Sequence, residues 1–425
     1  MCMDKTEKLI WEHPWRYVEG FIVSIGITFS GFLLQIAIGN LHLTAFKYPI
    51  NMIIGLIFVI SILLCHLFLG KAAVVRWLSS VYATVPALVV MLGVVVILGI
   101  IPQFVPYASS SVIPKNLAGL FGWYQMTTSW TFIFISYYTL AILVFTTLKR
   151  TRRKFTWRDI GFYLNHLGLL LAFMGAMLGS ADMQRMRMTV KEGNVEWRAQ
   201  DEHQNIVELP IALQLDTFMI EEYPPKLVLV DLETGKGLPE NRPELYLFEG
   251  EGKSTKLMNY NIDILSYLPN AAIMRDSVHS NAVPYFSEGN THAIKIRVSN
   301  EEMNDPIVGW VSNGSYVFPH SVVYINEKVG VVMPMQEVKK YTSHVQVFTK
   351  DGNTKAAAIE VNKPLRIANW TIYQLSYDES KGKYSDTSVF ELVSDPWLPI
   401  VYAGIIMLIA GSFYLFIVGP KNKKS

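Results

Sequence analysis

The sequence predicts a multi-pass α-helical membrane protein of about six transmembrane helices, with one large β-rich extracytoplasmic domain inserted before the last helix. Three observations lead there. Six runs of mostly apolar residues, 20–39, 50–70, 77–101, 130–148, 160–179 and 397–419, are each long enough to cross a hydrocarbon core of ~30 Å as a helix. Only 17% of the 425 residues are charged, against about a quarter in ordinary soluble domains. The charge is also divided: residues 181–395 hold 30 of the 35 acids but 21 of the 37 bases, a net −9, and the remainder carries +11. That division separates a basic membrane part from an acidic soluble part.

Taken in order, residues 1–80 form an N-terminal hairpin of two spans and 81–180 a three-helix core. The third span is expected to stop at Pro102, since proline halts a helix. The fifth is the least apolar, with Asn165 and His166 inside it. Residues 181–395 form the large domain, and 396–425 the last span and a basic tail. Orientation follows the positive-inside rule. Fourteen Lys and Arg fall in the segments assigned inside, including the run Lys149, Arg150, Arg152, Arg153, Lys154 and Arg158; only Lys47 and Lys115 fall in the short outside loops. Both termini are therefore expected in the cytoplasm and the large domain outside, with Trp123, Trp130 and Trp397 at the outer span ends as interfacial aromatics. Such a chain belongs in a bacterial cytoplasmic (inner) membrane, with membrane lipids as its first partners.

The large domain reads as strands. Alternating runs at 211–215, 226–230, 294–298, 322–325 and 345–348 are separated by turn signals, among them Asp351-Gly352, Thr234-Gly235 and Gly250-Glu251-Gly252. No dinucleotide, phosphate-loop, zinc-protease or serine-hydrolase motif is present, and no nucleophile–base pair can be named, so no catalytic residue is assigned. No basic patch with interleaved aromatics occurs in this domain, which disfavours nucleic acid as a partner. The two cysteines, Cys2 and Cys65, lie outside it. A disulfide scaffold, a zinc ribbon and a CxxC redox motif are excluded, and without CxxCH the chain cannot carry covalent haem itself. The first apolar run lacks a small-residue cleavage site and reads as a retained anchor.

A histidine inside a span is costly unless paired or coordinated, and two qualify. His66, close to the inner end of span two, is expected to snorkel or to hydrogen-bond locally. His166 stands in the inner half of span five. At ~100° per residue, Gly168, Ala172, Gly175 and Gly179 form a small-residue stripe opposite it, with the spacing that lets another helix approach closely. The His166 face presents Phe162, Tyr163, Leu170, Phe173 and Met177, an apolar and aromatic wall with one imidazole near its base. Such a wall suits a flat hydrophobic macrocycle with an axial ligand. It equally suits plain packing around a hydrogen-bonded histidine, and the pattern leaves both readings open. The histidines of the large domain, His203, His279, His292, His320 and His344, lack ligand-like spacing and are expected to be surface or hydrogen-bonded residues.

From about residue 84 to 420 the chain resembles the ResB family of system II cytochrome c biogenesis. The resemblance rests on Pro102-Gln103 at a span end, Ser129-Trp130 opening span four, and His166-Leu-Gly-Leu-Leu-Leu through Gly175-Ala176 and Gly179 to Glu192-Gly193. It continues with Val361-Asn362-Lys363-Pro364-Leu365, Ile372-Tyr373-Gln374, Ser376-Tyr377-Asp378 and Asp395-Pro396. Leu98 and Gly99 stand where that family has glycine and threonine, and spans one and two are additional to its usual pattern. The resemblance implies a non-catalytic subunit of a holocytochrome c synthase (haem lyase) complex, a complex that exports haem b and delivers it for thioether attachment to the CxxCH of an apocytochrome c. It implies a separate CcsA-type partner, because the WWD segment is absent here. It also implies His166 as an axial ligand of the haem iron, with Phe162, Leu170 and Phe173 lining the haem, and a partner for the other ring nitrogen supplied by another span. Without the resemblance, a membrane-anchored sensor or scaffold with no haem fits the same composition.

Overall fold

A computed structural model describes residues 11–103, 114, 116–202, 204–275 and 280–418. Cys2, His203, His279 and the lysines of both tails lie outside the described residues, as does Lys115. The chain divides into two compact units, residues 1–185 with 202–205 and 393–425, and residues 186–201 with 206–392.

The first unit is helical: α1 (Tyr17–Ile38), α2 (Ile50–Leu69), a short α3 (Ala73–Leu78), α4 (Val81–Ile100), a short α5 (Leu117–Leu120), α6 (Trp130–Thr151), α7 (Trp157–Gly179) and α8 (Leu398–Val418). Six of these, all but α3 and α5, are long and apolar enough to cross a membrane, in agreement with the six expected runs. Helix α1 shows why lipid must be the solvent. Its exposed stripe is Ile22, Ile25, Phe29, Leu33 and Ile36, whereas Gly20, Ser24, Thr28, Gly31 and Gln35 are buried. Large apolar groups outside and small or polar groups inside invert the pattern of a soluble helix. The buried hydroxyls are satisfied locally, Ser24 donating to the Gly20 carbonyl at 2.8 Å and Thr28 to that of Ser24 at 2.9 Å.

The third span is shorter than the expected 77–101. Trp77 belongs to α3 and is buried beside Ala83, Ala87 and Ile142. Ser79 and Ser80 turn their hydroxyls onto the carbonyls of Val75 and Trp77, and this competition with the helical ladder leaves Ser80 extended as the N-cap of α4. At the other end, the Gln103 side chain donates to the Trp123 carbonyl and accepts from the Met126 N–H, both at 3.0 Å. The Pro-Gln pair thus stops α4 and fastens its end to the 3₁₀ turn Trp123–Thr128.

The small-residue stripe of α7 packs on α8. Gly161, Gly168, Gly175 and Gly179 of α7 and Gly404 and Gly411 of α8 are buried, and at Gly168 and Gly404 the two backbones touch without intervening side chains. One polar knot closes this end of the bundle. The Asp182 carboxylate accepts from the Tyr48 N–H (2.7 Å), the Asn51 amide (2.7 Å) and the Trp397 indole N–H (2.6 Å). It therefore ties the start of α2, the end of α7 and the start of α8. Burial pushes this carboxyl up, but those three donors, with Lys47 nearby, outweigh it and hold it below the usual carboxylate range. Asp395 caps α8 by accepting from the N–H groups of Trp397 and Leu398, which is what Asp395-Pro396 does here.

Among its described residues the regular structure of the second unit is β strand with one 3₁₀ turn. Its strands are β1 (Gln184–Lys191), β2 (Val195–Gln200), β3 (Ile206–Glu222), β4 (Lys226–Asp231), β5 (Leu245–Leu247), β6 (Ser254–Leu257), β7 (Tyr260–Arg275), β8 (Ser280–Pro284), β9 (Thr291–Ser299), β10 (Ile307–Ser312), β11 (Val323–Tyr324), β12 (Val329–Val332), β13 (Val338–Thr349), β14 (Thr354–Glu360), β15 (Leu365–Ile367), β16 (Trp370–Tyr377) and β17 (Thr387–Ser394). An eight-stranded sheet runs β14-β13-β3-β2-β1-β17-β16-β15. First and last strands are neighbours, so the insertion begins and ends side by side. Its core holds Met188, Leu213, Leu215, Val347, Ile372 and Phe390. A five-stranded sheet, β10-β9-β7-β6 with β8 on β7, and a four-stranded sheet, β11-β12-β4-β5, share a second core of Ile262, Ile264, Ile294, Ile296, Leu227 and Val331. The five expected runs all lie in or at strands, most of them longer than the periodicity suggests. The expected turns hold too: Gly235, Gly250, Gly252 and Gly352 all have positive φ, which glycine alone adopts without strain.

Candidate functional site at the basic end of α7

Helix α7 starts where the sequence places a polar stop after a basic run. Thr156 and Asp159 form a capping box, the Asp159 carboxylate accepting from the Thr156 N–H (2.6 Å) and hydroxyl (2.8 Å). Its other oxygen takes the Arg150 Nε–H at 2.6 Å, which pins the last turn of α6 to the first turn of α7. The Arg150 guanidinium then lies 5.5 Å from the Phe162 ring centroid, and Phe162 stacks on His166 at 3.8 Å. Arg150, Phe162 and His166 thus form one column. The periodicity of α7 reveals Phe162 and His166 but not Arg150, whose only signal is its place in the basic run.

The His166 Nδ1 lies 2.9 Å from the Phe162 carbonyl oxygen. A carbonyl only accepts, so Nδ1 carries the proton and Nε2 keeps its lone pair. No described residue takes that lone pair. This is the ligating tautomer of imidazole, with the second nitrogen oriented by a backbone carbonyl. The expectation that another span supplies that partner is therefore corrected: it comes from the same helix one turn earlier, because the 3.6-residue repeat puts the carbonyl of residue i−4 beneath the ring. Asn165, roughly 100° around the helix, faces α8 instead, its amide oxygen accepting from Ser412 at 3.4 Å. Leu170 and Phe173 are half-buried on the side of His166, and Leu170 packs against the cluster of Ile62, Val75, Val144 and Phe145.

His66 does not behave as expected. It neither snorkels nor hydrogen-bonds: its side chain is buried, and neither ring nitrogen has a partner among the described residues. The physical reason is Arg152, whose guanidinium takes the helix-end position and donates to the His66 carbonyl at 2.7 Å, while the imidazole stays on the inward stripe of Asn51, Gly55 and Ile62. Gly55 touches Met174 and Leu178. The rise of ~1.5 Å per residue carries His66 about 16 Å from Gly55, and His166 about 12–18 Å from those two side chains. The imidazoles of α2 and α7 therefore stand at about the same level. Among the described residues no three His, Cys, Asp or Glu side chains cluster as a ligand set for a bare metal ion.

No curated protein matches this chain. A model of the ResB-like family matches residues 153–242 and 321–389. Those segments hold the basic turn, α7, strands β1–β4 and most of β11–β17. Spans one to four, the last span and the five-stranded sheet lie outside them, so the match is narrower than the resemblance over 84–420. Across its histidine-bearing span and the greater part of its eight-stranded sheet the chain is ResB-like, and since ResB is the system II cytochrome c biogenesis protein, the match supports a role in cytochrome c biogenesis.

Proposed function

We propose that this chain is the membrane subunit that receives haem b at the cytoplasmic face and helps pass it to the opposite side for attachment to the CxxCH thiols of an apocytochrome c. The observation that carries the reading is the free Nε2 of His166, held in its ligating tautomer by the Phe162 carbonyl. The α7 face above it, with Phe162, Leu170 and Phe173, offers the apolar contact that a porphyrin edge requires. When bound, haem supplies the iron that the imidazole ligates and the vinyl groups that become thioethers. The chain's own residues orient and exclude: Phe162 fixes the imidazole, Arg150 and Asp159 fix Phe162, and the α7–α8 contact keeps the His166 face turned away from α8.

In this reading the basic ends of the helices lie in the cytoplasm, the β domain lies outside the inner membrane, and a CcsA-type WWD-containing protein completes the complex. The β domain holds the apocytochrome, and the synthase activity belongs to the assembly. Neutral imidazole ligates, so acidification weakens the site. The test is the reduced-minus-oxidised visible spectrum of the chain purified with its CcsA-type partner. The expected result is a haem b spectrum that is lost or altered in His166→Ala and restored by added imidazole. Equal haem in both removes His166 from the site, and a folded complex without haem supports a membrane-anchored scaffold or sensor instead.

A further inference from the structure

The β domain contains a cavity of about 380 Å³ that the haem reading does not use. It opens between the end of β3 (Ile220, Glu222), the start of β9 (Asn290, Thr291), the loop 313–316 after β10 and the turn 377–384. Its polar groups are lopsided. The Asn290 amide donates to the Ser287 carbonyl at 3.2 Å, which fixes the orientation of the amide and turns its oxygen the other way; a flipped amide would set oxygen against oxygen. Among the described residues that oxygen has no hydrogen-bond partner, on a residue only 6% exposed. The Glu222 carboxylate is met by His292 at 3.4 Å, itself held by the Tyr267 hydroxyl at 2.7 Å, and pairs with no Lys or Arg among the described residues.

The donors around the cavity are mostly taken. The Tyr316 hydroxyl donates to Glu288 at 2.6 Å, the Tyr384 hydroxyl to the Asn290 carbonyl at 3.5 Å, and the Lys381 ammonium to Asp386 at 3.0 Å. Lys383 makes no close ion pair among the described residues; its ammonium lies 5.3 Å from the Tyr384 ring centroid and feels the Glu222 charge from a distance. A resident cation is thus already accommodated on the tyrosine wall, within the field of Glu222 but not in contact with it, while the Asn290 oxygen stands without a donor among the described residues. A buried unpaired acceptor is costly, so a ligand that donates there is favoured.

We infer that this cavity receives a basic side chain, an ammonium or guanidinium of a partner polypeptide. Asn290 and Glu222 accept its N–H groups, Tyr316, Tyr377 and Tyr384 pack on its stem and charge, and Lys383 is displaced as it enters. The net −9 of residues 181–395 draws such a partner in. This site is independent of His166 and goes beyond the proposed haem transfer.

The test uses the full chain in nanodiscs without haem, titrated by calorimetry and ligand-observed NMR with acetyl-Gly-Arg-Gly-amide and its Glu and Gln counterparts. The arginine peptide is expected to bind and the other two not. Glu222→Gln is expected to weaken it tenfold or more, and Lys383→Met, which removes the resident cation, to strengthen it. Binding of the glutamate peptide, loss of arginine binding in Lys383→Met, or no binding by wild type overturns the inference. Strand circular dichroism checks that each variant is folded. Because no haem is present, failure here leaves the His166 reading standing, and failure of the spectra leaves this site standing.

Discussion

Substituting Gly404 by alanine tests the contact on which the placement of His166 depends. A methyl group at Gly404 would lie 2.5 Å from the Ala172 backbone nitrogen, 2.6 Å from the Gly168 carbonyl oxygen and 2.9 Å from the Ala172 methyl. Ordinary contact begins near 3.4 Å, so α7 and α8 must part by about 1 Å, and backbone cannot rotate aside as a side chain can. Overpacking of this kind costs about 1–3 kcal/mol. It is offset in part by the better helix propensity of alanine, at most about 1 kcal/mol, which leaves a net loss of about 1–2 kcal/mol. Gly93 of α4 is the control: nothing lies within 4 Å of a methyl there, so Gly93→Ala is expected to be neutral or slightly stabilising. The assay is denaturant unfolding in detergent micelles, followed by tryptophan fluorescence, for both variants and wild type. If Gly404→Ala proves as stable as Gly93→Ala, the backbone contact is absent and the reasoning fails.

Two further substitutions test other contacts of the fold. Asp182→Asn replaces an acceptor of three hydrogen bonds by a group that also presents donors to them, and should cost about 1–3 kcal/mol; unchanged unfolding would remove the knot from the account. In the β domain, Lys381 holds the Asp386 carboxyl far below its usual range against the upward push of burial, with Lys191 and Thr387 assisting. Since the folded value lies below the unfolded one, this stabilisation is present above the unfolded value of ~3.9 and is lost as pH falls through the folded value. Asp386→Asn should therefore flatten the acid side of the stability profile while changing little of its shape above pH ~6, and an acid limb as steep as wild type in denaturant titrations would contradict it.

The six spans were legible because each is a continuous apolar run, and their composition needs no partner to declare itself. The strands around 211–215 and 294–298 were legible because one face is buried and period two survives. The break at Ser79–Ser80 was not legible, since serine hydroxyls also bond back to carbonyls within unbroken spans, as Ser24 does, and the packing of Trp77 among Ala83, Ala87 and Ile142 that goes with the break is recorded by no local pattern. At the candidate site, sequence alone singled out His166 by its cost in a span and the glycine stripe by its spacing.

Which helix meets that stripe, the tautomer of His166 and the burial of His66 were decided by tertiary structure. A lone pair is freed only when a particular carbonyl takes the other proton, and a stripe acquires a partner only when another backbone comes within contact. The cavity in the β domain is the extreme case. Glu222, Asn290 and Lys383 are far apart along the chain, each ordinary where it stands, and only the tertiary fold brings a strand end, a loop and a 3₁₀ turn to one place. Composition and periodicity determine which surfaces each segment carries, whereas the pairing of those surfaces depends on packing across long sequence separations, which local patterns do not encode.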